Sequence, residues 1–373
     1  MVTAVTAELV RHDPSNGGAG MSPIAALDGL RGVAALLVML SHFNLVVPRF
    51  LHGAAHESGH AGVMIFFILS GFLMGLLYLG APPSGRAVAQ FLVRRGARVI
   101  PLYLAVVLAC LVVAQIGPDR AWVYSLSRWE TLLSHLLLIR GDGVLWTVPV
   151  EIQFYLLMPL IWLAFARVPR ATTIGLMVAI AAIYLARLAY VPPDKSIIAR
   201  LMVGLPYFLA GLVLSRCISP TVGGRGWDVA FVAAAGSLLL LYPNLVPQAV
   251  LGGVEPWVNP VSLLLVAVLL IASLRSRLAA RILGSRPLRF LGQISYGIYL
   301  LHFVAIMNLS RFATLYPKTY LLFALSLVVV IAAATLAHIL IERPARDAIN
   351  RWFDRPRQVP PDIRREPTFE RAP

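Results

Sequence analysis

Ten runs of this sequence are apolar over roughly the twenty residues that an α-helix needs to cross a hydrocarbon layer. They cover residues 24–47, 61–79, 99–116, 145–166, 171–191, 199–215, 229–245, 258–274, 291–313 and 319–341. With no water to satisfy its N–H and C=O groups, backbone at that depth must hydrogen-bond to itself, so each run is expected to be a helix. Composition agrees: 59% of residues are hydrophobic and 13% are charged, where soluble domains carry about 25% charged residues. The predicted fold is an all-α, polytopic integral membrane bundle of about ten transmembrane helices.

An even number of spans leaves both termini on one side, and the basic residues indicate which. Arg86, Arg94, Arg95, Arg98, Arg167, Arg170, Arg216, Arg225, the stretch 275–289 and the tail after Glu342 fall together, while the opposite loops hold far fewer. The positive-inside rule makes that side, and both termini, cytoplasmic. The net charge of +15 is therefore read as topology, and no nucleic-acid partner is expected, since the basic residues are spread over loops with no recognition module. Residues 1–22 are polar and lack a signal-like apolar core, so a disordered cytoplasmic lead is expected there. Residues 23–346 form the membrane domain. Residues 347–373 are a basic Pro/Arg-rich cytoplasmic tail, for which anionic lipid headgroups are a conceivable partner. Cys110 and Cys217 form no metal or redox pattern.

Ionisable residues inside apolar runs cost about 2–3 kcal/mol each on insertion scales and so mark candidate sites. Asp28, Arg31 and His42 lie on the first run; eleven residues are about three turns, so they share one broad helical face that should look into protein or a wet cavity. Arg94, Arg95 and Arg98 precede the third run, and Arg95 and Arg98, three apart, present two guanidinium forks on one side. They either bind a phosphate-bearing group from the cytosol or anchor the helix as ordinary inside charges. Glu151 sits in an aromatic, apolar stretch one turn before Tyr155, where a carboxylate needs a partner or must act as a neutral acid. Ser295, Tyr299 and His302, with Tyr296 beside them, make an i, i+4, i+7 polar stripe that either lines a substrate path or bonds to neighbouring helices. His52, His56 and His60 recur every fourth residue in an outer loop, a weak zinc-like spacing; no metal is expected.

Taken in order, several stretches resemble the acyltransferase-3 family of bacterial integral-membrane O-acyltransferases: 27–35 with His42, 62–72, Arg94–Arg95 with Arg98 and Pro101, 146–155, 294–302 and 342–344. The resemblance covers about residues 24–344 and implies transfer of an acyl group, usually acetyl from acetyl-CoA, to a hydroxyl of a glycan, lipid-linked saccharide or natural product. It implies a multi-pass protein of the bacterial inner membrane. It also maps the family's first-helix arginine and histidine onto Arg31 and His42, its arginine pair onto Arg95 and Arg98, and its embedded glutamate onto Glu151. Pro149 departs from the family pattern, which puts the placement of Glu151 in question. Some relatives append an esterase-like domain; this chain is expected to lack one.

The expected chemistry has His42 as general base, Asp28 and Arg31 organising charge around it, and Arg95 and Arg98, with Arg94 beside them, holding coenzyme A phosphates. Glu151 pairs with an arginine or orients the acceptor. Tyr155, Ser295, Tyr296, Tyr299 and His302 contact the acceptor. A covalent acyl-histidine relay is a variant of the same scheme. The alternative is a transporter or flippase of a glycan or lipid, which an inverted repeat would favour.

Overall fold

The computed structural model describes residues 23–48, 50–53, 55, 57–116, 129–189, 197–218, 223–241, 259–310 and 319–354. Among these the regular structure is helical throughout. The chain order is α1 (Pro23–Val46), α2 (Ser58–Tyr78), α3 (Gly85–Ile116), α4 (Trp129–Leu136), α5 (Thr147–Arg167), α6 (Pro169–Ala189) and α7 (Ile197–Cys217). It continues through α8 (Gly226–Leu241), α9 (Pro260–Arg275), α10 (Arg277–Leu283), α11 (Arg286–Gln293), α12 (Ser295–Ser310), α13 (Thr319–Ala337) and α14 (Arg343–Asp354). The lead, most of the tail, and the loop side chains of His52 and His56 lie outside the described residues.

Seven of these helices are long and apolar enough to cross a membrane, or nine if each of two bent pairs is one span. The expected seventh run is represented by the 16 residues of α8, shorter than a full crossing. Exposed apolar side chains on α6 (Ile174, Val178, Leu185) and α13 (Leu321, Val328, Leu336) give the bundle the apolar exterior that lipid requires.

Small residues set the central packing. A Cβ added at Gly71 would lie 2.0 Å from the Phe208 carbonyl oxygen, and one at Gly211 would lie 2.2 Å from that of Ile68, so α2 and α7 touch backbone to backbone. The α1–α2 contact is similar: a Cβ at Gly62 would meet the Ala34 carbonyl at 2.5 Å. Close approach replaces the hydrophobic drive that lipid surroundings remove.

The start of α1 is wrapped by two broken helices. α9 and α10 meet at 89°, and α11 and α12 at 74°. Ser276 caps α10 by accepting from the Ala279 N–H (2.9 Å), while its hydroxyl donates to Asp228 (2.6 Å), which also accepts from the Leu278 N–H (3.0 Å). The ninth expected run, 291–313, is thus corrected. Its first three residues belong to α11, whose Arg286, Arg289 and Gln293 alternate with Leu288, Phe290 and Leu291 and make it amphipathic. Gly292 of α11 is pressed against the Asp28 backbone, and Gly29 against Leu283, so these two glycines seat the broken helices on α1.

A second correction concerns the tail. α13 passes through a π-turn at His338–Glu342 into α14, so helix runs to Asp354, past the expected boundary at 346. Asp354 accepts from Gln90 (3.2 Å) and pairs with Arg94 (3.4 Å) on α3.

Candidate functional site

The polar residues of the early runs converge because of these contacts. Arg31 of α1, Val63, Phe66, Phe67 and Ser70 of α2, Thr147, Val148 and Glu151 of α5, and Ser295, Tyr296 and Tyr299 of α12 line one cavity of about 490 Å³, its mouth included. A single cation, a single carboxylate and five hydroxyls face each other there among aromatic rings. The break before Ser295 matters locally: it starts α12 at this level, so that Ser295 and Tyr299 of the predicted stripe, with Tyr296 beside them, reach the cavity.

Glu151 is held by hydroxyls. Its Oε1 accepts from Tyr155 on the next turn and from Ser70 at 3.3 Å. Arg31 shares the cavity and feels the charges of Arg98, Asp28 and Glu151, but among the described residues no guanidinium forms an ion pair with Glu151 within 4.0 Å. Pro149 does not displace this carboxylate. It occupies the first turn of α5, where a proline lacks no hydrogen bond the helix needs. The loop before α5 is fixed by His135, whose Nε2 accepts from the Asp142 N–H (2.9 Å), by Arg200 donating to the Gly141 carbonyl, and by Gly143 at φ 51°. Thr147 then donates to the Tyr299 hydroxyl (3.1 Å), tying α5 to α12 across the cavity.

The arginine group divides. Arg95 and Arg98 both act electrostatically on Tyr155, and Arg95 also lies over the Tyr78 ring at 5.8 Å. Arg94 is exposed and turned to Asp354, so its partner is structural.

His42 is not a lining residue of this cavity. It lies about 16 Å further along α1 than Arg31, half-buried, with its ring 5.0 Å from that of His302 and 5.3 Å from that of Phe303. Asp28, Arg31 and His42 share a helical face, as expected, but a shared face does not bring residues three turns apart into contact. Asp28 stays with Arg31 at the beginning of the helix. His302, placed by its spacing with the acceptor-contacting stripe, is fully buried against His42 instead. Tyr299 joins the two sites, since it lines the cavity and its ring is 5.9 Å from Phe66 and 6.0 Å from His302. Tyr296 also reaches α3, donating to the Val99 carbonyl at 2.6 Å.

Ser70 and Thr147 were not singled out in the sequence, although each is a hydroxyl within an apolar run, the signal that flagged Ser295. Among the described residues no group of three His, Cys, Asp or Glu side chains could hold a metal. The zinc-like spacing falls mostly outside the described residues.

The described helices form a membrane bundle with a charged and hydroxyl-lined cavity, joined through one tyrosine to a pair of histidines. Family comparison gives the class: the chain belongs to the acyltransferase-3 family, whose acyltransferase-domain profile matches residues 24–341. It is 26% identical to the peptidoglycan O-acetyltransferase OatA of Listeria monocytogenes, over 75% of this chain and 49% of the relative. It is also 26% identical to the putative peptidoglycan O-acetyltransferase YrhL of Bacillus subtilis, over 89% and 56%. The O-acetyltransferase OatA of Staphylococcus aureus is 23% identical, over 87% and 57%. The chain thus spans about half the length of these curated relatives. No solved structure matches it.

Proposed function

We propose that this protein is a membrane O-acyltransferase that moves an acetyl group from acetyl-CoA to a saccharide hydroxyl of the cell envelope, working in the bacterial cytoplasmic membrane with both termini inside. The convergence of Arg31, Glu151 and five hydroxyls in one cavity carries this reading. An ester transfer needs a donor for the carbonyl oxygen and a carboxylate or hydroxyl set to orient an alcohol. The names of the relatives support the acetyl group and the glycan acceptor.

In this reading Arg95 and Arg98 bind the coenzyme A phosphates, and the pantetheine arm runs past Tyr155 into the cavity. The acceptor hydroxyl attacks the thioester carbonyl and His42 takes its proton. Collapse breaks the C–S bond to release coenzyme A, whose sulfur recovers a proton from His42, while Arg31, about three turns away on α1, holds the donor arm within the cavity. Glu151, held by Tyr155 and Ser70, orients the acceptor or its neighbouring hydroxyls. Arg94 drops out of the donor site because it is engaged by Asp354.

The test is transfer of labelled acetyl from acetyl-CoA to an envelope glycan extract in purified membranes. Substituting Arg95→Gln and Arg98→Gln together should raise the apparent KM for acetyl-CoA by roughly tenfold or more, since charge-assisted hydrogen bonds contribute about 1.5–3 kcal/mol each. An unchanged donor KM would remove the arginines from that role, and no transfer by the wild type would remove acetyl-CoA as donor. Sidedness is tested separately. A reporter fused after Arg357 should be active only in its cytosolic form, and an externally active fusion would overturn the topology.

A further inference from the structure

We infer that His302 is a positioning residue that holds the His42 ring through its Nδ1–H, making the two histidines the proton-handling unit of the site. This deepens the proposed reaction and rests on His42 being its base. His302 Nδ1 lies 3.0 Å from the Ile298 carbonyl and His42 Nδ1 lies 2.9 Å from the Val38 carbonyl. A carbonyl oxygen only accepts, so each Nδ1 carries a hydrogen and each neutral ring keeps its lone pair on Nε2. His302 Nε2 is 3.3 Å from His42 Nδ1. The Nδ1–H of His42 is thus shared between Val38 and the lone pair of His302, and the lone pair of its Nε2 is the basic site.

Both helices contribute the same local device, an imidazole bonded back to the carbonyl four residues earlier. The two devices meet only because α12 packs on α1. When His42 Nε2 accepts the alcohol proton, the Nδ1–H stays in place and the lone pair of His302 faces the new imidazolium. That is the orienting part a carboxylate plays beside a histidine base elsewhere, supplied here by a neutral ring. Complete burial of His302, with Tyr299 and His42 as its ring neighbours, suits a fixed partner better than an acceptor-contacting residue.

The experiment compares His302→Leu, which removes the lone pair, with His302→Gln, whose Oε1 can replace Nε2 as acceptor. Both are measured as full-length protein in membranes at matched folded yield. His302→Leu should lower kcat by roughly tenfold to a hundredfold, less than removal of the base itself, with the acceptor KM little changed; His302→Gln should recover most of the loss. Nitrogen-15 and proton NMR of histidine-labelled protein gives a readout independent of turnover: the His42 Nδ1–H should resonate downfield, as a hydrogen shared with a second acceptor, in the wild type and in His302→Gln, and move upfield in His302→Leu. A loss confined to the acceptor KM, no rescue by Gln, or an unaltered His42 Nδ1–H resonance in His302→Leu overturns the inference. If His42→Ala is inactive while His302→Leu is fully active, only the inference fails; if His42→Ala is fully active, the base assignment fails and takes the catalytic role of the pair with it.

Discussion

Replacing His42 by alanine should reduce acetyl transfer by about 10²- to 10⁴-fold, the range that a positioned general base contributes, with the protein still inserted and folded. The ring lies in the packing zone of α1 against α12, close to the second apolar core of Met39, Phe43, Ile298 and Ile306. Truncation also leaves a small void there, so folded yield must be quantified alongside turnover. The measurement is a rate of labelled ester formation on glycan, normalised to folded protein, at saturating acetyl-CoA. A loss in kcat with the donor KM intact is the expected signature, because the arginines proposed to hold the phosphates are on α3. Equal rates for variant and wild type would take His42 out of the reaction and leave Glu151 as the ionisable candidate for the base.

The largest structural effect should come from Gly71→Ala, where one methyl group is enough. A Cβ there would sit 2.0 Å from the Phe208 oxygen and 2.8 Å from its carbon, and neither is the end of a flexible side chain that could swing away. α2 and α7 would have to separate along their whole contact, and α2 carries Phe66, Phe67 and Ser70 into the cavity. The expected cost is at or above the upper end of about 1–3 kcal/mol typical of overpacking. It would be read as a lower thermal denaturation midpoint, or as loss of monodisperse protein in detergent. Gly175→Ala supplies the internal control: on α6 nothing lies within 4 Å of the added Cβ. That substitution should be neutral or stabilising by up to about 1 kcal/mol, since alanine is the better helix former. Similar behaviour of the two variants would mean that the α2–α7 approach is looser than described.

The membrane class, most helix positions and several of the cavity-lining residues were legible along the chain, for one reason. Hydropathy is a one-dimensional property, and a charge or hydroxyl in an apolar run stands out wherever the helix later packs. Arg31, Glu151, Ser295, Tyr296 and Tyr299 were found in this way, and they do meet. Helix interruptions were less visible, because the bend at Ile294 depends on Gly292 resting on the Asp28 backbone, a contact between residues distant in sequence. The fate of Arg94 likewise depends on Asp354 at the far end of the chain.

Periodicity put Arg31 and His42 on one face and Tyr299 and His302 on one stripe, where they remain, but it named no partner across an interface. A helical face states direction and leaves out distance along the axis and the identity of the neighbour across the interface. The sequence by itself determined that this is a helical membrane protein with ionisable groups inside it. Only the tertiary packing of α12 against α1 paired the two imidazoles, and only the arrangement of α2 and α5 around one cavity set Ser70 beside Glu151. Lateral neighbours in a bundle are chosen by which surfaces fit closest, and no local pattern encodes that.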